Sequence, residues 1–459
     1  MKILLLNPIN RSYVVMPSLG LGYLASSLTP HGHDVRILNS IKERFTYEAF
    51  GDLVGRERFD LIGFQVYSYD LSSVERHIAI IRQRSPGTVT ISGGPHPSGD
   101  PHGILLYLKG LDLAFQGEAE VGLPLLLTQL EQGRQEYGSI PGLIWRKSDA
   151  IVVNPAYAVQ DLDSLPLPFW DLLQPETYPE APHGAFTLAF PTAPIITSRG
   201  CPCRCTFCAG HRISGTKIRR RSIDNVMQEL HLLKDRGILE FHIEDENFTF
   251  NRDYVHAFCD RSMSEKLGMS WSLPSGIRID TLDRDLLLAM ARAGCYSLAV
   301  GVEFGSDRML KETRKGLTVA MIRERIKLFS GMGIKVTGFF LFGVPGETRE
   351  EMEQTIQLAL ELPLDRAQFN NFMPLPGSDA WNRLKERGLL AHPDWDRYFV
   401  HDVAHTDGTV SAIELKRLQR SAVLRFYLRP RIILGLLREI RSLRHLYYLL
   451  KRLIDAMRG

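Results

Sequence analysis

Hydrophobic positions follow two alternating periods along residues 1–135. Short apolar runs, typical of strands buried on both faces, recur between stretches with the 3.6-residue period of amphipathic helices. The strand-like runs are Lys2–Leu6, Asp34–Leu38, Leu61–Val66, Val89–Ser92 and Leu113–Gln116, and helical stretches such as Leu19–Leu28 and Val74–Arg84 separate them. This alternation predicts an α/β fold with a Rossmann-like, doubly wound parallel sheet.

The same alternation returns over residues 191–400. A connector at 136–190 separates the two blocks, with a small hairpin predicted at Ile140–Arg146 and Ile151–Asn154 and a Pro-rich stretch after it. Six further strands are predicted at Pro194–Ser198, Glu240–Glu244, Trp271–Pro274, Ser297–Val302, Val336–Phe342 and Ala367–Phe372. Functional side chains of such a domain are expected where the strands end.

Residues 401–459 differ from both blocks in charge and period. From Glu414 onward there are twelve Lys or Arg and three acidic residues, a net +9 in a chain whose total is +3. Helical spacing aligns one apolar set, Leu415, Leu418, Ala422 and Phe426, and a second set, Leu443, Leu446, Tyr447, Leu450 and Ile454. Two interpretations stay open: basic helices packed on the preceding domain, or an interfacial helix in peripheral contact with a membrane.

Overall composition is that of an ordinary globular protein. Of 459 residues, 44% are hydrophobic and 23% charged, close to average usage. No apolar run approaches the roughly 20 residues that span a bilayer, and the apolar stretch after Met1 is too short for a signal peptide. We expect a cytoplasmic protein, membrane-associated only through its tail, with a small-molecule substrate and no nucleic-acid partner.

The most specific chemistry lies in a cysteine-rich loop after the first strand of the second block. Cys201, Cys205 and Cys208 form a Cys-x3-Cys-x2-Cys motif, close enough for one loop to wrap an iron–sulfur cluster. Electron-transfer clusters commonly take four thiolates, so three leave one iron open for a small molecule. A zinc site lacks its second ligand pair here, and a disulfide framework does not suit a chain with six cysteines. Cys203 is either a bystander or a fourth ligand that would close the open iron.

This motif closely resembles that of the radical S-adenosylmethionine (SAM) superfamily. The resemblance implies a partial (β/α)6 barrel of TIM type and a 4Fe–4S cluster on Cys201, Cys205 and Cys208, whose open iron binds SAM. Reductive cleavage then gives a 5′-deoxyadenosyl radical, with electrons from a low-potential donor such as flavodoxin or ferredoxin. Further residues matching family positions for SAM are Phe207, Glu244, Asp245, Glu246 and Glu303. Arg314 and Lys315 either meet the SAM carboxylate or form a solvated surface pair.

The amino-terminal block resembles the cobalamin-binding domain that precedes many radical SAM cores. Glycines at the strand ends let backbone approach a ligand closely, and the implied cobalamin contacts are Ser68, Gly93, Gly94, Gly117 and Glu118. The loop Asn7–Ser12 has no histidine, so the resemblance implies a cobalt without a lower histidine ligand. His96, in a Gly-Gly-Pro-His-Pro turn, is interpreted as structural or as a contact for the cofactor tail. Cys259 and Cys295 are interpreted as core residues.

These features favour a cobalamin-dependent radical SAM enzyme that methylates an unactivated carbon. A ring-forming or rearranging radical SAM enzyme similar to the anaerobic magnesium-protoporphyrin ester cyclase, and a radical SAM enzyme without cobalamin, are the alternatives. A non-catalytic iron–sulfur protein is the third hypothesis. The residues that select the substrate are expected in loops without recognisable chemistry.

Overall fold

A computed structural model describes residues 1–12, 15–180, 187–329, 331–390, 393–399 and 402–440. The apolar runs near the amino terminus form strands in one sheet: β1 Lys2–Asn7, β2 Asp34–Asn39, β3 Leu61–Gln65, β4 Val89–Gly93, β5 Leu113–Phe115, β6 Leu143–Lys147 and β7 Ala150–Val153. Their spatial order is β2-β1-β3-β4-β5-β6-β7. Strands β1 to β5 pair parallel with one another, as predicted.

The predicted hairpin is not a separate small element. Strand β6 pairs antiparallel with β5, and β7 pairs antiparallel with β6, so the hairpin extends the amino-terminal sheet. Buried side chains of β5 and β6, Phe115 and Leu143 among them, share one core with the helices. The hydrophobic pattern of the sequence does not predict this pairing, because the period of a strand does not indicate which strand lies beside it in the sheet.

Helices connect these strands and cover the sheet. Serine and threonine start several of them, since the side-chain oxygen accepts a hydrogen bond from a first-turn amide; Ser18 and Thr46 do so for the first two. Helices α1 Leu19–Leu28, α2 Tyr47–Glu57, α3 Leu71–Arg84, α4 Pro95–Gly99, α5 Gly103–Tyr107 and α6 Gly122–Glu131 lie between strands of this sheet in the chain. Helices α7 Trp170–Leu173, α8 Gly210–Ser214 and α9 Ile223–Asp235 follow the sheet in the chain.

The described chain divides into two compact units. The first comprises Met1–Pro202, Cys208–Phe241 and Leu375–Ser378; the second comprises Cys203–Phe207, His242–Pro374 and the described residues from Asp379 onward. The first unit also contains β8 Thr192–Ile195, β9 Ser198–Arg199, β10 Arg219–Arg220 and the start of β11, Glu240–Ile243.

The strand predicted at Pro194–Ser198 is wrong in its bounds. Strand β8 ends at Ile195, and Ser198 belongs to β9, which pairs antiparallel with β10 in a separate two-stranded sheet. The amides of Leu239 and Glu240 donate to the carbonyl of Pro191, which places the start of β11 beside β8. The apolar residues predicted as one strand therefore extend over two strands in different sheets, and the hydrophobic period of the sequence does not reveal this break.

The second unit continues the α/β alternation. It contains the end of β11 and the strands β12 Ser270–Ile277, β13 Cys295–Glu303, β14 Lys335–Phe342 and β15 Arg366–Asn371, in the order β15-β14-β13-β12-β11. The pairs formed by β12 to β15 are parallel. All six predicted strands thus occur, and the parallel pairing agrees with the expected partial barrel.

The helices of the second unit are α10 Arg252–Ser264, α11 Arg284–Arg292, α12 Asp307–Glu312, α13 Val319–Lys327, α14 Arg349–Glu361, α15 Asp379–Glu386, α16 Ala412–Tyr427 and α17 Pro430–Glu439. Helix α16 buries the predicted face of Leu415, Leu418, Ala422 and Phe426, which confirms the packed interpretation for this helix. The second predicted face, Leu443 to Ile454, lies outside the described residues. Helix α17 buries only Ile432.

Candidate functional site

The cysteine motif lies in a loop between β9 and α8. Cys201, Cys203 and Cys205 are half-buried and Cys208 is exposed, and no cysteine of the described chain forms a disulfide. The Cys208 sulfur accepts a hydrogen bond from the Gly210 amide at 3.4 Å. Among the described residues, no three His, Cys, Asp or Glu side chains are arranged as a metal site.

The middle of the motif is anchored within the second unit. The Thr206 amide donates to the Thr313 carbonyl at 3.0 Å, and the Ala380 amide donates to the Thr206 carbonyl at 2.9 Å. The ring of Phe207 meets the fully buried ring of Phe304 edge to face, with centroids 6.2 Å apart. The buried ring of Phe304 therefore supports Phe207.

Glu303 ends β13 in a strained and well-supported position. Its φ of 67° is in the left-handed region, where a non-glycine residue costs about 1 kcal/mol or more. The Lys315 ammonium donates to Glu303 Oε1 at 2.9 Å. A Cβ at Gly301 would lie 2.5 Å from that carboxylate oxygen and 2.6 Å from Lys315 Nζ. A side chain at position 301 would therefore displace the charged ends of both side chains.

Lys315 is buried, so the interpretation of Arg314 and Lys315 as a solvated surface pair is wrong for Lys315. It is 6% exposed. Burial alone would lower its pKa, but Glu303 and next the Cys205 thiol raise it, and the net direction is upward. Arg314 does fit the surface interpretation, since it pairs with Asp379 and both side chains are well exposed. The cation of Lys315 is thus retained in a buried place, beside a carboxylate and a predicted cluster ligand.

A second cation lies near the same cysteines. Arg278 donates to the Lys315 carbonyl at 2.8 Å and pairs with Asp280 at 2.7 Å. Its pKa is raised although burial opposes this, chiefly by Asp280 and to a smaller extent by Cys203 and Cys205. Positive groups favour the thiolate form that metal binding requires.

The acidic run after β11 is partly buried. Asp245 is buried, while Glu244 and Glu246 are half-buried. Ser275, in β12, donates its hydroxyl proton to a Glu244 carboxylate oxygen. Asn247 accepts hydrogen bonds at its Oδ1, but its buried Nδ2 has no hydrogen-bond partner in the described chain. An unsatisfied donor in the interior is costly, so this amide is available to an additional acceptor.

The sheet also presents residues that sequence reasoning missed. Along β14 and β15 buried positions alternate with half-exposed ones. The half-exposed side chains include Phe339, Leu341, Gln368 and Asn370, and Gln368 Nε2 donates to Asn370 Oδ1 at 3.3 Å. The opposite face holds the stacked rings of Phe340 and Phe369. The signal was present in the period-2 pattern, in which Gln368 and Asn370 alternate with the buried positions Ala367, Phe369 and Asn371.

The carboxyl edge of the amino-terminal sheet holds the predicted cobalamin contacts. Ser68 Oγ lies 2.9 Å from Nδ1 of His96, and burial lowers the pKa of His96 to about 4. The imidazole is therefore neutral and fixes the loop after β3 to the turn after β4. A Cβ at Gly94, where φ is 103°, would lie 3.3 Å from the Val66 amide nitrogen, whereas a Cβ at Gly93 would meet nothing within 4 Å. The open space over Gly93 is compatible with a close ligand.

Gly117 and Glu118 follow β5. Gly117 has a φ of 68°, and its amide donates to Ser98 Oγ at 2.9 Å. Both carboxylate oxygens of the buried Glu118 accept from the Arg219 guanidinium, at 2.6 and 2.9 Å. Glu118 also accepts from the Val159 amide at 2.7 Å. In this structure Glu118 thus holds an internal ion pair, a role that the sequence prediction did not include.

Known protein families match both halves of the chain. The B12 binding domain matches residues 9–127, and the radical SAM superfamily matches residues 195–359. An uncharacterized methyltransferase of Pyrococcus horikoshii is 30% identical over 98% of this chain and 99% of its own length. Cytidylyl-2-hydroxyethylphosphonate methyltransferase of Streptomyces wedmorensis is 30% identical over 85% of this chain and 82% of its own.

A solved structure has a similar fold. OxsB, a cobalamin-dependent SAM radical enzyme solved with aqua-cobalamin and SAM bound, superposes with a TM-score of 0.75 at 16% identity. The match covers 100% of this chain and 71% of OxsB. At this identity the likeness establishes the fold alone.

Proposed function

The chain belongs to the radical SAM superfamily, in the branch with an amino-terminal B12 binding domain, and we propose that it is a cobalamin-dependent methyltransferase acting on an unactivated carbon of a small molecule. The observation that carries this proposal is the match, end to end, to a methyltransferase at 30% identity. The order of the two domains and the cysteine motif agree with it.

The residues divide the chemistry between two cofactor sites. When bound, the cluster supplies the electron that cleaves SAM, and cobalamin carries the methyl group to be transferred. Cys201, Cys205 and Cys208 hold the cluster as thiolates. Glu303 suits the ribose hydroxyls of SAM, because a carboxylate accepts two hydrogen bonds. Lys315, whose ammonium now donates to Glu303, would suit the SAM carboxylate.

Phe207, Glu244, Asp245 and Glu246 are assigned to the surroundings of SAM in the same proposal. Ser68, Gly93, Gly94 and Gly117 are assigned to cobalamin. For Glu118 we propose an indirect part, because its carboxylate positions Arg219 and the Val159 backbone. The half-exposed face with Gln368 and Asn370 is proposed to meet the substrate, since it offers amide groups between apolar side chains.

Cobalamin absorbance provides the first test. Anaerobically reconstituted protein should retain cobalamin at a near-equimolar ratio after desalting. A protein that keeps its cluster and cleaves SAM but retains no cobalamin would contradict the methyltransferase proposal and leave a radical SAM enzyme without cobalamin.

Two finer partners belong to this proposal. A low-potential donor such as flavodoxin or ferredoxin is required to reduce the cluster. The apolar residues Leu434 and Leu437 of α17 are 53% and 54% exposed next to arginines, which supports peripheral contact with an anionic membrane. Within the described ranges no helix combines the length and hydropathy that a membrane crossing requires.

A further inference from the structure

The strand order of the amino-terminal sheet creates one crevice. The chain leaves β1 for β2 on one side and returns to β3 on the other, so the order reverses between β1 and β3. In open α/β sheets ligands bind at this reversal, beyond the carboxyl ends of the strands. The loops that border it begin after Asn7 and after Gln65.

The two bordering loops are tied together. Asn10 Nδ2 donates to Asp70 Oδ1 at 2.9 Å. The hydroxyl of Ser18 donates to Gln65 Oε1 at 2.6 Å, and the hydroxyl of Ser73 donates to the Ile9 carbonyl at 2.5 Å. The crevice therefore has a fixed base before any ligand arrives.

An aromatic pair stands on this base. The rings of Tyr67 and Tyr69 are stacked, with centroids 5.5 Å apart and planes within 2° of parallel. Asp70, which is fully buried, accepts from the Tyr67 amide at 2.9 Å and so fixes the start of the turn. Tyr67 nevertheless remains 39% exposed. A rigidly held, flat and exposed ring is a preorganised contact for another flat surface.

We propose that Tyr67, stacked on Tyr69, is the platform on which the sheet-facing side of the corrin ring lies. This rests on the cobalamin part of the proposed function. It adds a contact for the lower face of the corrin, for which the loop Asn7–Ser12 supplies no histidine. The corrin is a flat, largely apolar ring with a polar rim, and an aromatic face matches its centre. Tyr67 is a positioning residue, which packs through its ring and does not ligate cobalt through its oxygen.

The test uses the reconstituted full-length protein and two probes, hydroxocobalamin and cobinamide, which keeps the corrin but lacks the nucleotide tail. Tyr67→Ala is expected to weaken binding of both probes by the same factor, about tenfold. Tyr67→Phe keeps the ring and is expected to bind as wild type, with an unchanged electron paramagnetic resonance spectrum of the reduced Co(II) form. Tyr157→Ala, which changes a tyrosine 44% exposed in the connector, is the matched control.

Any other result contradicts the proposal that Tyr67 is the platform. An unchanged affinity of Tyr67→Ala for both probes would show that the ring does not contact the corrin. Weakening for hydroxocobalamin alone places Tyr67 at the nucleotide tail, and a changed spectrum in Tyr67→Phe makes its oxygen a ligand. If wild type binds neither probe, the cobalamin part of the proposed function fails together with the platform, whereas wild-type binding with an unaffected Tyr67→Ala variant overturns the platform alone.

Discussion

Cys205 and Cys203 are two positions apart, yet different consequences are expected when each is replaced. Cys205→Ala should lose the cluster and SAM cleavage, because it removes one of three ligands. Cys203→Ala should keep both. Iron and sulfide analysis of anaerobically reconstituted variants, with the absorbance of the cluster, measures this. Loss of iron from the Cys203 variant would identify a fourth ligand and would close the iron that SAM needs.

The buried carboxyl group of Glu347 is expected to make the stability of the protein depend on pH. It is 1% exposed; one oxygen accepts from the Gly343 amide at 2.7 Å, and the other has no hydrogen-bond partner in the described chain. Burial raises its pKa to about 8. A folded-state pKa above the ordinary value means that the folded protein favours the protonated carboxyl. Its contribution to the free energy of unfolding is therefore complete below about pH 4.5 and declines as pH rises toward 8.

Glu347→Gln should remove this decline. The variant and wild type should have similar melting temperatures at pH 5, and the variant should be more stable at pH 8, by on the order of 4 kcal/mol. The exposed neighbour Glu350, changed to Gln, is the control and should follow wild type at both pH values. A parallel pH dependence in wild type and Glu347→Gln would show that this carboxyl does not carry the effect.

Single residues were predictable only as far as motif and position allow. The cysteine spacing and the place of Glu303 at a strand end are visible in the sequence. The left-handed φ of Glu303 and the burial of Lys315 are not. Glu303 and Lys315 are twelve residues apart, and their contact depends on the fold around them.

At the scale of the element, α16 shows how a tail helix is held. Its side chain Phe426 is fully buried, and its ring meets Phe369 of β15 with centroids 6.2 Å apart. Tyr427 donates its hydroxyl proton to the Ala367 carbonyl of the same strand at 2.8 Å. The helix therefore closes the face of β15 that points away from Gln368 and Asn370.

Phe426→Ala should destabilise the protein by about 3–5 kcal/mol, the usual cost of a large buried cavity. Calorimetry would record the lower melting temperature. Leu428→Ala, a neighbouring change at a side chain 62% exposed, should have little effect. Equal melting temperatures for the two variants would mean that α16 is not part of the core.

Elements were predictable where one period is sustained. The five parallel strands and α16 were recovered because their buried faces repeat at a fixed spacing. The partner of the β6–β7 hairpin and the end of β8 were not recovered, because pairing and changes of direction depend on contacts distant in sequence.

The whole molecule carries its charge unevenly, with +9 from Glu414 onward. If the tail contacts membranes, wild type should float with vesicles that contain anionic phospholipid and not with neutral ones. Leu434→Ser with Leu437→Ser should reduce flotation, because both side chains are exposed on α17. Ile413→Ser, at a side chain 67% exposed on α16, is the control. Wild-type protein that does not float with anionic vesicles would contradict the membrane contact, and equal flotation of all the proteins would show that the leucines of α17 do not make it.

The order of domains was the most predictable property at this scale. A sheet of Rossmann type followed by a cysteine loop and a second α/β domain follows from the sequence and agrees with the matched families. The substrate does not follow from the sequence, because the groups proposed to meet it occupy alternate positions of β14 and β15 and form no motif.

The most direct test of the central claim is anaerobic turnover with SAM that carries a deuterated methyl group, in the presence of reductant and hydroxocobalamin. We expect 5′-deoxyadenosine and a deuterated methyl group on cobalamin from the wild type, and no 5′-deoxyadenosine from Cys205→Ala. A wild-type protein with a complete cluster that forms no 5′-deoxyadenosine and leaves cobalamin unlabelled would contradict that claim.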